Sequence, residues 1–125
     1  MLTSVLKTAA AILLTTSPSF AQAYPDKPIR MVLPFPPGGG TDAVARAIFP
    51  RMSQALGQPM VIDNRAGAGG ILAADIVAKS APDGYTILMG SSTGVTAAPS
   101  LYKLPYDSIK DFAPITLFAT AAFIL

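Results

Sequence analysis

The residues best suited to chemistry fall in three short stretches, each placed just after an apolar run. The first is Phe35, Pro36, Pro37, Gly38, Gly39, Gly40, Thr41 and Asp42; the second is Gly67, Ala68, Gly69 and Gly70; the third is Ser91, Ser92 and Thr93. A Pro/Gly loop with bare backbone amides that runs into the positive end of a helix favours a bound anion. Two such loops side by side, followed by a third rich in small hydroxyl side chains, suit the oxygens of a carboxylate. Ordinary structural roles account for the same residues equally well at this stage. The glycines of the first two loops fit tight strand-to-helix turns. Asp42 fits as compensation for a helix dipole, and close to an anion it would repel the ligand unless water or a ligand ammonium group intervened. Ser91, Ser92 and Thr93 fit as caps of a following helix, and Arg65 as a solvated surface charge.

What the chain lacks removes most other chemistry. Among its 125 residues are no Cys, no His, no Trp and, on inspection, no Glu. A Ser-His-Asp or Cys-His scheme therefore has no base, a zinc site has neither of its preferred ligand types, and paired-carboxylate catalysis would rest on Asp alone. The sequence points away from an enzyme and calls for no cofactor and no metal. Nor do the charges point to nucleic acid: 9 basic and 7 acidic residues give +2, and no basic stripe alternates with aromatics. One motif competes with the anion reading. Gly38-Gly39-Gly40-Thr41-Asp42-Ala43 satisfies G-x-G-x-x-A after an apolar run, with Asp63 about twenty residues on, which is the dinucleotide-binding pattern of a Rossmann-like enzyme. Pro36 and Pro37, which distance the glycines from the preceding run, stand against it.

The first 23 residues read as an export signal. Lys7 is their sole charge, an apolar stretch follows, and Ala21-Gln22-Ala23 is a small-x-small cleavage pattern before Tyr24. Removal of Lys7 with this segment leaves a net charge of +1, and the apolar stretch is too short for a membrane anchor. The mature protein is thus expected to begin at Tyr24, in the periplasm, without membrane insertion. With no Cys, its fold must be held by a core rather than by disulfides.

The elements that position the three loops follow from periodicity. Ile29 to Phe35 reads as a buried parallel strand. A helix is expected from Thr41, as N-cap, to about Leu56, with Val44, Ala45, Ile48, Met52 and Leu56 facing inward and Pro50 producing a kink or a split into two helices. Met60 to Asn64 is a second strand, and Ile71 to Lys79 a helix packing through Ile71, Leu72, Ala74, Val77 and Ala78. A Pro82-Asp83-Gly84 turn precedes a third strand, Tyr85 to Met89. A short helical piece around Val95 to Tyr102, an irregular Leu104 to Asp111 and an apolar run from Ile115 towards Leu125 complete the chain. Alternating strand and helix imply a parallel sheet whose ligands bind beyond the strands' carboxyl ends, where all three loops fall. The closing apolar run has no turn or polar tail and reads as an element cut short, so the chain is expected to be the front piece of a longer protein.

Seven motifs in order carry a resemblance: Tyr24-Pro-Asp-Lys-Pro-Ile-Arg30, Pro34-Phe-Pro-Pro-Gly-Gly-Gly-Thr-Asp42, Leu56-Gly-Gln-Pro59, Asp63-Asn-Arg-Ala-Gly-Ala-Gly-Gly70, Ala81-Pro-Asp-Gly-Tyr-Thr86, Leu101-Tyr-Lys-Leu-Pro-Tyr-Asp107 and Asp111-Phe-Ala-Pro-Ile-Thr116. Together they resemble the tripartite tricarboxylate transporter receptors, the Bug-type periplasmic solute-binding proteins. The resemblance implies an α/β parallel-sheet sandwich of the periplasmic binding protein type, type II-like. Residues 24–125 would form the N-terminal part of its first lobe, and the second lobe has no counterpart in this sequence. It further implies capture, without chemical change, of a small organic carboxylate, with membrane transporter subunits as partners. Carried over residue by residue, the grip falls on Phe35 to Asp42, Gly67 to Gly70 and Ser91 to Thr93, through backbone amides, hydroxyls and bridging water. The competing readings are the dinucleotide-dependent enzyme and a non-binding interaction subunit or inactive fragment.

Overall fold

The computed structural model describes residues 23–120. The expected export signal lies outside these residues save for Ala23, as does the end of the apolar run. Five residues, Ile29–Leu33, form strand β1, followed by helix α1 at Gly40–Leu56 and strand β2 at Met60–Asn64. A single 3-10 turn at Ala68–Gly70 leads into helix α2, Ile71–Ala78, and then strand β3, Thr86–Leu88. A wide π-helical turn at Ser92–Ala97 runs into the short helix α3, Ala98–Leu101.

The three strands make one parallel sheet in the order β2-β1-β3, with Ile29 opposite Met60 and Arg30 opposite Thr86. β1 is central because it alone can be covered on both faces: every residue but Arg30 is buried. Strand alternation places Met31 and Leu33 on the α1 side, where they pack with Ala45 and Phe49, and sends Val32 to the other face. β3 is shorter than its expected span, yet the ladder continues at both ends, since Arg30 N–H donates to Tyr85 O at 2.8 Å and Met89 N–H to Val32 O at 2.9 Å. The segment leading into β1 is clasped to the turn before β3: Tyr24 Oη donates to Gly84 O at 2.8 Å, and the Lys27 ammonium lies 4.2 Å from the Tyr85 ring centre.

Helix α1 departs from expectation in three ways. Its buried face is Asp42, Ala45 and Phe49, with Met52 half-buried against the core. Val44, Ile48 and Leu56 stand outside this stripe. Nearly every residue from Ala43 to Phe49 is apolar, so two neighbouring stripes fit the same period, and the bulk of Phe49 decides which one turns inward. Pro50 interrupts nothing at the level of the element, for α1 is one helix of 17 residues. Pro50 and Arg46 both lie on the exposed side, where the carbonyl that loses its partner meets water. The N-cap is Gly39 rather than Thr41, which lies inside the helix. With α1 in this rotation, Val44→Lys and Ile48→Lys, at residues 37% and 36% exposed, are expected to shift stability by no more than about 0.5 kcal/mol each in urea denaturation. Losses of several kilocalories would restore the other face.

Smaller differences follow the same logic. In α2 the buried residues are Ala73 and Ala74, while Leu72 is exposed, because only small side chains fit where this helix meets the sheet. From residue 113 to 120 the chain has no regular structure; Phe118 alone turns back, edge to face with Phe49 at 6.1 Å.

Candidate functional site

All three glycine- or hydroxyl-rich loops leave the carboxyl ends of the strands. Because the chain passes from β1 to β2 on one side and returns to β3 on the other, the strand order reverses at β1, and the loops after β1 and β3 flank that reversal. The first loop is held by one buried carboxylate. Asp42 is 2% exposed; its Oδ2 accepts from Gly38 N–H at 3.0 Å and Arg46 Nε at 2.7 Å, and its Oδ1 from Asn64 Nδ2 at 3.1 Å. The same Asn64 amide donates to Phe35 O at 3.0 Å, so the end of β2 grips the loop from both sides. The Arg46 guanidinium, followed by the Gly38 amide, holds the Asp42 carboxyl at about 2, below its usual 3.8. The arrangement is a reversed capping box, in which the third helical residue satisfies an amide preceding the helix.

The Asp42 charge is thereby spent internally, and the first-turn amides are left open. Helix geometry gives no intrahelical partner to Gly40, Thr41 and Asp42 N–H, and no side chain caps Gly39. A Cβ at Gly39 would touch only Pro36 O at 3.5 Å, and at Gly40 nothing within 4 Å. Neither backbone conformation nor packing requires glycine at these two positions.

The other two loops are locked together. Residues 67–70 take positive φ throughout, at 150°, 46°, 65° and 98°, and Ala68 does so without being glycine. Gly70 is the meeting point: a Cβ there would lie 2.9 Å from Ser91 Oγ and 3.2 Å from Pro34 Cβ. A Cβ at Gly94 would lie 3.0 Å from the Gly70 carbonyl carbon, so two backbones touch directly. Ser91 Oγ accepts from Gly94 N–H at 3.1 Å and caps the π-helical turn. The structure thus brings Gly69 and Gly70 against Ser91 and Thr93, reaches the first loop through Pro34, and leaves Pro36, Pro37, Gly38, Gly40, Gly67, Ala68, Ser92 and Thr93 exposed. Phe35, Gly39 and Thr41 are half-buried.

Asn64 and Tyr106 were not singled out by sequence, although both hold the site. Asn64 has a signal, as a polar side chain where an apolar strand ends. Tyr106 has little: its buried hydroxyl donates to Gly94 O at 2.6 Å from a segment without regular structure. Burial, with the nearby Asp75 charge, raises its pKa and keeps it a donor at neutral pH.

Arginines near these loops are also engaged. Asp63 accepts from Arg30 Nε and Arg65 Nε, each at 2.8 Å. Partial burial pushes the Asp63 carboxyl up, but the two guanidinium bonds outweigh it and hold the pKa below the ordinary value. Asp63 is the acid a dinucleotide-binding motif would reserve for ribose hydroxyls, and here two arginines occupy it. Among the described residues no group of three or more His, Cys, Asp or Glu could hold a metal, and no helix is long and apolar enough to cross a membrane. Backbone amides and small hydroxyls are groups suited to the oxygens of an anion.

A parallel α/β sheet with small-residue loops gathered beyond its carboxyl edge is the architecture of the periplasmic binding protein fold. The chain belongs to the tripartite tricarboxylate transporter family receptors, whose family model matches residues 44–125. It is 49% identical over 119 residues to the protein of the tcbD–tcbE intergenic region of Pseudomonas sp. strain P51, covering 92% of this chain and 35% of that one. Among solved structures, MatC from Rhodopseudomonas palustris with bound malate is 46% identical with a TM-score of 0.71, over 76% of this chain and 33% of that one. The periplasmic binding protein BugD is also 46% identical, with a TM-score of 0.69, over 74% of this chain and 31% of its own. The chain spans about a third of the length of the relatives it matches.

Proposed function

We propose that residues 24–125 form the first part of one lobe of a periplasmic receptor that captures a small organic carboxylate for tripartite tricarboxylate-type transport or sensing. Residues 1–23 are its export signal, a second lobe supplies the other wall of the cleft, and membrane transporter subunits receive the ligand. The observation that carries this reading is the uncapped start of α1, where Gly39 and Gly40 hold amides open though nothing in the fold demands glycine. Gly67 to Gly70 and Ser91 to Thr93 add donors from the adjoining loops, and Phe35 to Pro37 with Thr41 border them. Asp42 contributes by holding Gly38 and, through Asn64, Phe35. Malate in the similar MatC supports a dicarboxylate as first candidate.

The test is calorimetric titration of malate into a graft in which residues 24–120 replace the matching segment of MatC. The arginines near the loops are paired with aspartates, so neutral dipoles supply the grip. Malate is therefore expected to bind with an affinity that changes less than about tenfold between low and high salt, and NAD is expected not to bind. A graft that folds but ignores malate and other organic acids would refute the reading, and binding of NAD would reinstate the dinucleotide enzyme.

A further inference from the structure

Gly94 is pressed against the Gly70 backbone, yet among the described residues no hydrogen bond joins the two loops directly. The restraint comes from a third segment. Tyr106 is 8% exposed, and its hydroxyl reaches twelve residues back to the Gly94 carbonyl at 2.6 Å. Its ring stands edge to face on Phe112 at 5.7 Å and 87°. The segment around it is self-bracketed: Asp107 Oδ1 accepts from Ile109 N–H at 2.9 Å and Lys110 N–H at 3.1 Å, while Asp107 N–H donates to Asp111 Oδ2 at 2.7 Å. Tyr106 therefore projects from a small rigid platform and fixes the far side of the contact between the second and third loops.

We propose that Tyr106 is a positioning residue, setting the separation between the donors of Gly67 to Gly70 and those of Ser91 to Thr93. Its role rests on the carboxylate reading, since two loops that share one anion must keep their donors within hydrogen-bond range of the same oxygens. Loss of the hydroxyl alone frees the Gly94 carbonyl, lets Gly94 lift from Gly70 and moves Ser91 with it, because Ser91 Oγ and Ser91 O both accept from this turn. A misplacement near 1 Å is enough to weaken a site built on short donor distances.

The variant is Tyr106→Phe, which keeps the ring and its contact with Phe112. In the full chain, amide hydrogen exchange is followed at Gly70, Gly94 and Val95, which report the loop pair, and at Arg30 and Met89, which report the sheet. Protection at the first three is expected to fall at least about tenfold while the sheet amides stay within about twofold. Unchanged protection at the loop amides would overturn the proposal. So would an equal fall everywhere, or failure to fold, which would make Tyr106 a plain core residue. A parallel NMR titration adds malate, as the probe, to the MatC graft with and without Tyr106→Phe. The variant should keep malate-induced shifts at Gly39 and Gly40 and lose those at Ser91 to Thr93; equal retention of both sets would also overturn the proposal. If the unsubstituted graft shows no shift with malate, the carboxylate reading fails, and the exchange result still decides the tether.

Discussion

Gly70→Val is expected to lose a large share of the stability of the described fold and to separate all three loops. Forcing a β-branched residue to a φ of 98° costs at least about 1 to 2 kcal/mol. The new side chain would also meet Pro34 Cβ at 3.2 Å and Ser91 Oγ at 2.9 Å. Ser91 can turn away only by abandoning Gly94 N–H, and Pro34 follows directly on β1 and has no rotamer to offer, so overpacking adds about 1 to 3 kcal/mol. Against the roughly 5 to 15 kcal/mol that holds a domain folded, these costs are a large fraction of the total. The urea midpoint should fall sharply, with Gly94 and Val95 amides among the first to exchange. A midpoint like that of the unsubstituted chain would mean that the loops do not converge at Gly70.

Asp42→Asn is expected to lower Tm by several degrees near neutral pH, and the deficit should shrink as the solution is acidified. The substitution keeps the shape but offers a single acceptor. If that oxygen stays with Asn64, an NH2 group faces the Gly38 amide and the Arg46 guanidinium, both donors. Asp42 titrates at about 2 when folded against 3.8 in the reference state, so its charge contributes fully above pH 3.8 and the contribution disappears as pH falls towards 2. Melting curves of both proteins from pH 6 to pH 2 should therefore approach each other between about pH 4 and pH 2. A gap that stayed constant over that range would show that the charge of Asp42 carries no part of the network.

Much of this was legible from the residues themselves. β1 could be read because Ile29 to Phe35 is apolar on both faces apart from Arg30, as a central parallel strand needs to be, although the strand itself ends at Leu33. The loops could be read because proline and glycine punctuate them, and their common edge follows from strand–helix alternation. The rotation of α1 could not, since its apolar residues satisfy two adjacent stripes and only packing against Met31 and Leu33 separates them. Nor could its cap: Thr41 has the better intrinsic preference, but the reach of Asp42 back to Gly38 starts the helix earlier. The grip of Asn64 on Phe35 and of Tyr106 on Gly94 spans 29 and 12 residues respectively. Contacts of that range are set by the assembled sheet, and the one local hint is Asn64 itself, a polar side chain where an apolar strand ends.

The central claim is that backbone amides at the start of α1 grip a carboxylate. It is tested most directly by titrating malate into the MatC graft with and without Gly39→Val. Gly39 has φ −76° and a Cβ there would touch only Pro36 O, so valine fits the fold and is expected to cost about 1 kcal/mol as a poorer cap. The isopropyl group would nonetheless stand among the open amides and deny them to a ligand oxygen. Malate affinity is predicted to fall about 100-fold or more, equivalent to losing one or two charge-assisted hydrogen bonds, while the melting temperature stays close to that of the parent graft. Equal affinity in both proteins would contradict the account and move the carboxylate away from this loop.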